Sequence, residues 1–163
     1  MISPEAEGGS GGFTLRRARS QDVDAIFALV NLMAAGELML PRSKYRIVSA
    51  LASYFVAVDP QDQVMGCGSC AVLWTDLAEI CALAVRHDWQ RKGVGSALVG
   101  ALMEEARRMG IPRIITLTYR IDFFVRLGFS IEDKDAFPRK LWRECLECPK
   151  LEQCDETALY KDL

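Results

Sequence analysis

Apolar positions along the chain alternate between two periods, and the switches mark out a series of helices and strands. Phe13 to Ala18 reads as a first strand. Ser20 or Asp22 can then cap a helix whose apolar positions Val23, Ile26, Phe27, Val30 and Met33 keep helical spacing. Gly36 to Pro41 breaks the pattern, and Ser43 can cap a second, short helix to about Ala52. Tyr54 to Val58 and Val64 to Trp74 read as strands joined by the turn Asp59-Pro60-Gln61-Asp62-Gln63. Ile80 to Val85 is apolar at every position, as expected of a strand covered on both faces. After it Val94, Leu98, Ala101, Leu102 and Met109 form an apolar helical stripe, with Glu104, Arg107 and Arg108 left to solvent.

Gly110 and Pro112 stop that helix. Arg113 to Thr118 is a β-branched strand, Asp122 to Leu127 a short helix, and Gly128-Phe129 turns into another strand. Residues 133 to 156 carry many charges, two prolines and three cysteines, so an irregular excursion is expected before a closing strand, Thr157 to Lys161. This order predicts an α/β fold, a mixed and mainly antiparallel central sheet flanked by helices on both faces.

Composition narrows the class. The chain has 163 residues, enough for one domain with its own core; 50% are hydrophobic and 26% charged, as in a water-soluble globular protein. Residues 1 to 12 end Gly8-Gly9-Ser10-Gly11-Gly12 and have linker composition, which leaves 13 to 163 for the domain. No apolar run reaches membrane-spanning length and no signal-peptide pattern opens the chain, so a cytoplasmic protein is expected. A formal net charge of −2 gives no basic footprint for nucleic acid. Of the six cysteines, Cys67 and Cys70 sit an odd number apart in a strand and should face opposite ways as small core residues. Cys145, Cys148 and Cys154 have a spacing that suits metal ligands, but no fourth ligand is apparent and no metal is expected.

Chemistry concentrates between Ala78 and Met109. The loop Gln90-Arg91-Lys92-Gly93-Val94-Gly95, with Ser96 following, lies between strand and helix. Unpartnered N–H groups at a helix start attract anions, glycines let a phosphate approach, and Arg91 and Lys92 add positive charge. A pyrophosphate would fit there.

Three motifs in order resemble the GNAT superfamily of N-acetyltransferases. Gln90, Gly93 and Gly95 match its acetyl-CoA loop; Ala78-Glu79-Ile80 matches the strand that carries the general base; Phe123 to Phe129 matches its Phe-Tyr-x-x-x-Gly-Phe element. The resemblance implies acetyl-CoA as co-substrate, Glu79 as base acting directly or through a water, and backbone groups of Leu83, Ala84 and Val85 holding the pantetheine arm. It also places Phe124 beside the cofactor, where many members have a tyrosine that protonates the departing thiolate. Tyr119 is then the nearest alternative acid, or the thiolate leaves unassisted, since a thiol pKa near ~8.5 makes it a tolerable leaving group. His87, the single histidine, falls in the loop on the cofactor side and reads as a surface residue.

The likeness extends further, over residues 14 to 163, to the short single-domain N-acetylglutamate synthases, through Met39-Leu40-Pro41-Arg42-Ser43, Leu117-Thr118-Tyr119 and the tail from Phe137 to Glu156. A small amino-acid acceptor follows from it. Glutamate would need cationic clamps, for which Arg42 with Ser43, and Arg139 with Lys140, are candidates. The superfamily's habit of pairing through late strands implies a homodimer. Two other readings stay open: an acetyltransferase for another small amine or a protein lysine, and a non-catalytic acyl-CoA-binding sensor.

Overall fold

The computed structural model describes residues 12–137 and 156–163. In chain order the elements are β1 (Thr14–Arg17), α1 (Val23–Ala35), α2 (Lys44–Ser49), β2 (Tyr54–Val58), β3 (Val64–Trp74), β4 (Leu77–Val85), α3 (Val94–Arg108), β5 (Arg113–Thr118), α4 (Ile121–Arg126), β6 (Ser130–Glu132) and β7 (Thr157–Asp162). Among the described residues the strands form one sheet in the order β1-β2-β3-β4-β5-β7-β6. Every pairing is antiparallel except β4 with β5, which α3 joins by a crossover. The expected mixed, mainly antiparallel α/β architecture is the one observed.

Helices cover both faces. On one face Ile26 and Val30 of α1 and Ile47 of α2 pack with Val56, Cys67, Ala82 and Ala84. On the other, Val99, Leu102 and Ala106 of α3 and Phe124 of α4 pack with Cys70, Ala78, Ile80 and Ile114. Cys67 and Cys70 thus do face opposite ways. α3 lies close on β3 because Gly68 has no side chain: a Cβ there would stand 2.9 Å from Leu102 Cδ1.

Three details depart from the pattern. Neither Ser20 nor Asp22 caps α1 with its side chain: Ser20–Asp22 is a 3-10 turn, and the Asp22 carboxylate turns back to the Arg19 N–H at 2.7 Å and to Arg16. α2 ends at Ser49, and a separate 3-10 turn, Leu51–Ser53, completes the connection. β4 starts three residues earlier than expected and is interrupted. Between the pairs Ser69↔Cys81 and Cys67↔Ala84, β4 has two residues where β3 has one, and Ala82 takes φ 51°. Such a bulge reverses the alternation. Ala78 and Ile80 before it face α3, whereas Ala82 and Ala84 after it face α1.

Candidate active site

The site lies where β4 and β5 separate. Their parallel pairing covers only Ala78↔Ile114, Glu79↔Ile115 and Ile80↔Thr116. At the last pair the Thr116 hydroxyl donates to the Ile80 carbonyl at 3.1 Å. From Cys81 to Val85, β4 has β3 on one side and, among the described residues, no strand on the other. Main-chain groups of Leu83 and Ala84 on that edge can receive a ligand in the manner of an added strand, while the Val85 carbonyl accepts from the Gln90 side chain. The bulge sits in the same stretch. It is supported by the Cys67 thiol, which donates to the Ala82 carbonyl at 3.5 Å. Burial pushes that thiol up to about 12, against weaker lowering by the Ala84 backbone and Arg42, so it remains a protonated donor.

The gap opens into a cleft of about 1090 Å³. It is lined at one end by Gln90, Arg91, Gly93, Gly95 and Ser96, along its length by Glu79 to Val85 and Thr116 to Arg120, and at the other end by Met33, Leu38, Met39, Leu40 and Arg42. Such a volume suits a large ligand and a small one together.

At the first end α3 begins. Gly93 takes φ 84° and Arg91 φ 61°, so the chain passes through two left-handed positions before the helix. A Cβ on Gly93 would meet nothing, which leaves open space before the first helical amides. Gly95 lines the cleft, and its missing side chain also accommodates α4, since a Cβ would lie 3.3 Å from Phe123 Cζ. Gln90 pins the loop to the strand, its Nε2 donating to the Val85 carbonyl at 3.0 Å. Lys92 stands over the Trp89 ring, 4.9 Å from its centroid, and Val94 is buried in the core; neither side chain lines the cleft. His87 is exposed at the mouth.

At the other end Glu79, half-buried, lies on the cleft wall. Arg42 is only 8% exposed, unusual for an arginine, and lines the same cleft. Ser43, by contrast, caps α2: its hydroxyl accepts from the Arg46 N–H at 3.2 Å, and it does not line the cleft. Tyr119 lines the cleft just beyond the end of β5. Phe124 is 3% exposed and packs edge-on against Phe123 and Phe129, its ring closing the cleft floor. Arg139, Lys140 and the cysteines at 145, 148 and 154 lie outside the described residues. Among the described residues no group of three His, Cys, Asp or Glu side chains could hold a metal ion, and no helix is long and apolar enough to cross a membrane.

Sequence reasoning missed Thr116, Arg120 and Arg126, all of which line the cleft. The two arginines bracket α4, a cue that a charged pair around a short helix gives only weakly.

The sequence profile of the Acetyltransferase (GNAT) family matches residues 23–129. The chain belongs to that family. This GNAT acetyltransferase is 38% identical over 149 residues to an uncharacterized N-acetyltransferase of Chlorobaculum tepidum, covering 91% of this chain and 96% of the relative. It is also 38% identical over 118 residues to an amino-acid acetyltransferase of Mycobacterium tuberculosis, covering 71% of this chain and 67% of the relative. Among solved structures, a Mycobacterium tuberculosis protein in complex with CoA and NLQ superposes with TM-score 0.79 at 29% identity, over 91% of this chain and 98% of that one. The N-acetylglutamate synthase of Neisseria gonorrhoeae complexed with coenzyme A and N-acetyl-glutamate superposes with TM-score 0.84 over 96% of this chain, but at 22% identity and over 36% of its own length it speaks for the fold alone.

Proposed function

We propose that this acetyltransferase moves the acetyl group of acetyl-CoA onto the α-amino group of L-glutamate, the entry step of arginine biosynthesis, as a cytoplasmic enzyme with its catalytic unit in residues 13–163. One observation carries the reading: a single cleft is lined by the start of α3, by β4 beyond the point where it parts from β5, and by both Glu79 and the buried Arg42. A diphosphate at the helix start, a pantetheine arm on the strand edge and a carboxylate at Arg42 would lie in that order. Support for the acceptor comes from relatives named amino-acid acetyltransferase, and for the co-substrate from the similar structure in complex with CoA and NLQ.

In this reading the main-chain N–H groups of Gly93, Val94, Gly95 and Ser96, with Arg91, bind the diphosphate. Lys92 adds to the local positive field. Leu83, Ala84 and Val85 hold the pantetheine arm through their main chain, and one N–H along that edge polarises the thioester carbonyl. Glu79 takes a proton from the substrate ammonium, directly or through a water, freeing the lone pair. The amine nitrogen forms a bond to the carbonyl carbon, the C–S bond breaks, and sulfur departs as thiolate. Tyr119, which lines the cleft, is assigned to give it a proton, a role Phe124 cannot fill. Arg42 clamps one carboxylate of glutamate; Arg139 or Lys140 is assigned to the other. No metal takes part.

The apolar wall of Met33, Leu38, Met39 and Leu40 favours one second reading, a small amine that carries a carboxylate and an alkyl chain. Turnover of acetyl-CoA with glutamate, with the product identified by mass as N-acetylglutamate, tests the proposal. Turnover with an aliphatic amino acid and none with glutamate would transfer it to the second reading.

A further inference from the structure

Arg42 is held in an unusual way. The Asn31 side chain, on α1, makes two bonds to the main chain of this one residue eleven positions later. Its Nδ2 donates to the Arg42 carbonyl at 2.9 Å, and its Oδ1 accepts the Arg42 N–H at 3.2 Å. The second Nδ2 hydrogen goes to the Phe27 carbonyl one turn back, at 2.8 Å, which fixes the amide's own orientation. Asn31 thereby pairs with Arg42 as a neighbouring strand would, but through a side chain. Immediately after Arg42, the Ser43 hydroxyl caps α2. Arg42 therefore has its peptide groups fixed from α1 and its next residue fixed by α2, while its side chain lines the cleft.

Holding α1 against α2 does not require this arrangement. Ile47 of α2 is fully buried with Ile26 and Val30 of α1, and Lys44 pairs with Asp24 and lies over the Phe27 ring. What the amide adds is a defined position for the root of one buried arginine. A long side chain serves as a carboxylate clamp only if its Cα does not wander, because errors at the root are carried to the guanidinium.

We infer that Asn31 is a positioning residue for substrate affinity: it sets the place of the Arg42 guanidinium and, through it, the binding of the acceptor's carboxylate. The inference rests on the assignment of Arg42 to the acceptor carboxylate.

The test is steady-state kinetics with glutamate and acetyl-CoA on the wild type, Asn31→Ala, Asn31→Asp, Arg42→Ala and the Asn31→Ala/Arg42→Ala double variant. Loss of two bonds to Arg42 should raise KM for glutamate about tenfold in Asn31→Ala. KM for acetyl-CoA and kcat should stay close to wild type, a split that general loosening of the fold would not produce. Asn31→Asp keeps the side-chain size and the acceptor but loses both donors, so it should show the same split and serves if the alanine variant folds poorly. The double variant should be no worse than Arg42→Ala alone, because Asn31 acts through Arg42. An unchanged glutamate KM in both Asn31 variants, or additive losses in the double variant, would overturn the inference while leaving the assignment of Arg42 intact. A wild type without glutamate turnover, or an Arg42→Ala enzyme with an unchanged glutamate KM, would remove that assignment and the inference with it.

Discussion

Thr116 Oγ1 donates to the Ile80 carbonyl at 3.1 Å, at the last residue pair before β4 and β5 part. Thr116 is 3% exposed and Ile80 2%, so the bond is made between buried groups at the point where the strands part. Replacing Thr116 with the near-isosteric valine removes that donor from a buried carbonyl. Thr116→Val should lose about 1–2 kcal/mol of stability and raise KM for acetyl-CoA, because the edge that receives the pantetheine arm begins one residue later. Denaturant melts and a KM titration check both parts; an unchanged KM would mean that the split is held by the strands alone.

Glu79 and Arg42 line one cleft but are assigned different tasks, and kinetics separates them. Glu79→Gln keeps size and hydrogen bonding but not basicity. It should lower kcat by about 10²–10⁴-fold with acetyl-CoA still bound, the range for loss of a positioned general base. Isothermal titration with acetyl-CoA on the variant supplies the second half; lost binding would point to a structural role.

For Arg42 the loss should fall on the acceptor. Arg42→Ala should reduce kcat/KM for glutamate about 100-fold, and Arg42→Lys should recover only part, since an ammonium cannot meet a carboxylate with a two-bond fork. KM for acetyl-CoA is the control and should stay near wild type.

Most of the fold was legible in the sequence because each element carries its own period and its own stops. α3 is the clearest case: the apolar stripe from Val94, the left-handed Gly93 before it and Gly110 after it agree with one another. The bulge at Ala82 was not legible. A strand that is apolar at every position reads the same with or without an extra residue, so nothing in Ile80 to Val85 marks where the alternation reverses. Of the cleft, the glycine turn before α3 follows from local pattern, whereas the parting of β4 from β5 was expected only from the family resemblance. Residues whose roles depend on tertiary contacts were less legible. Ser43 caps a helix and does not line the cleft; Gly95 has a second task, making room for Phe123, that no local pattern announces; Asn31 gave no cue at all, because its partner lies across a loop.

Away from the cleft, Arg16, Asp22 and Asp62 tie β1 to the start of α1 and to the β2–β3 turn. Burial alone would raise the Asp22 carboxyl, but hydrogen bonds from Arg16 and the Arg19 N–H more than offset it and hold the group below its ordinary value of 3.8. A depressed folded pKa stabilises the fold above the unfolded value, and that contribution disappears as pH falls through the folded one. Asp22→Asn should therefore cost about 2 kcal/mol at neutral pH, with the gap to wild type closing in acid below 3.8. Urea unfolding of both proteins from neutral pH into the acid range checks this, and a gap that fails to close would contradict the linkage.

The most direct measurement is the rate of free-thiol release from acetyl-CoA with glutamate as acceptor, set beside glutamine, aspartate, leucine and a lysine peptide. A kcat/KM for glutamate at least about tenfold above each of the others, abolished with Arg42→Ala, is the expected result for a carboxylate held by a two-bond clamp. Turnover of the lysine peptide with none of glutamate would contradict the assigned acceptor and leave only the acetyl-CoA half of the cleft as described.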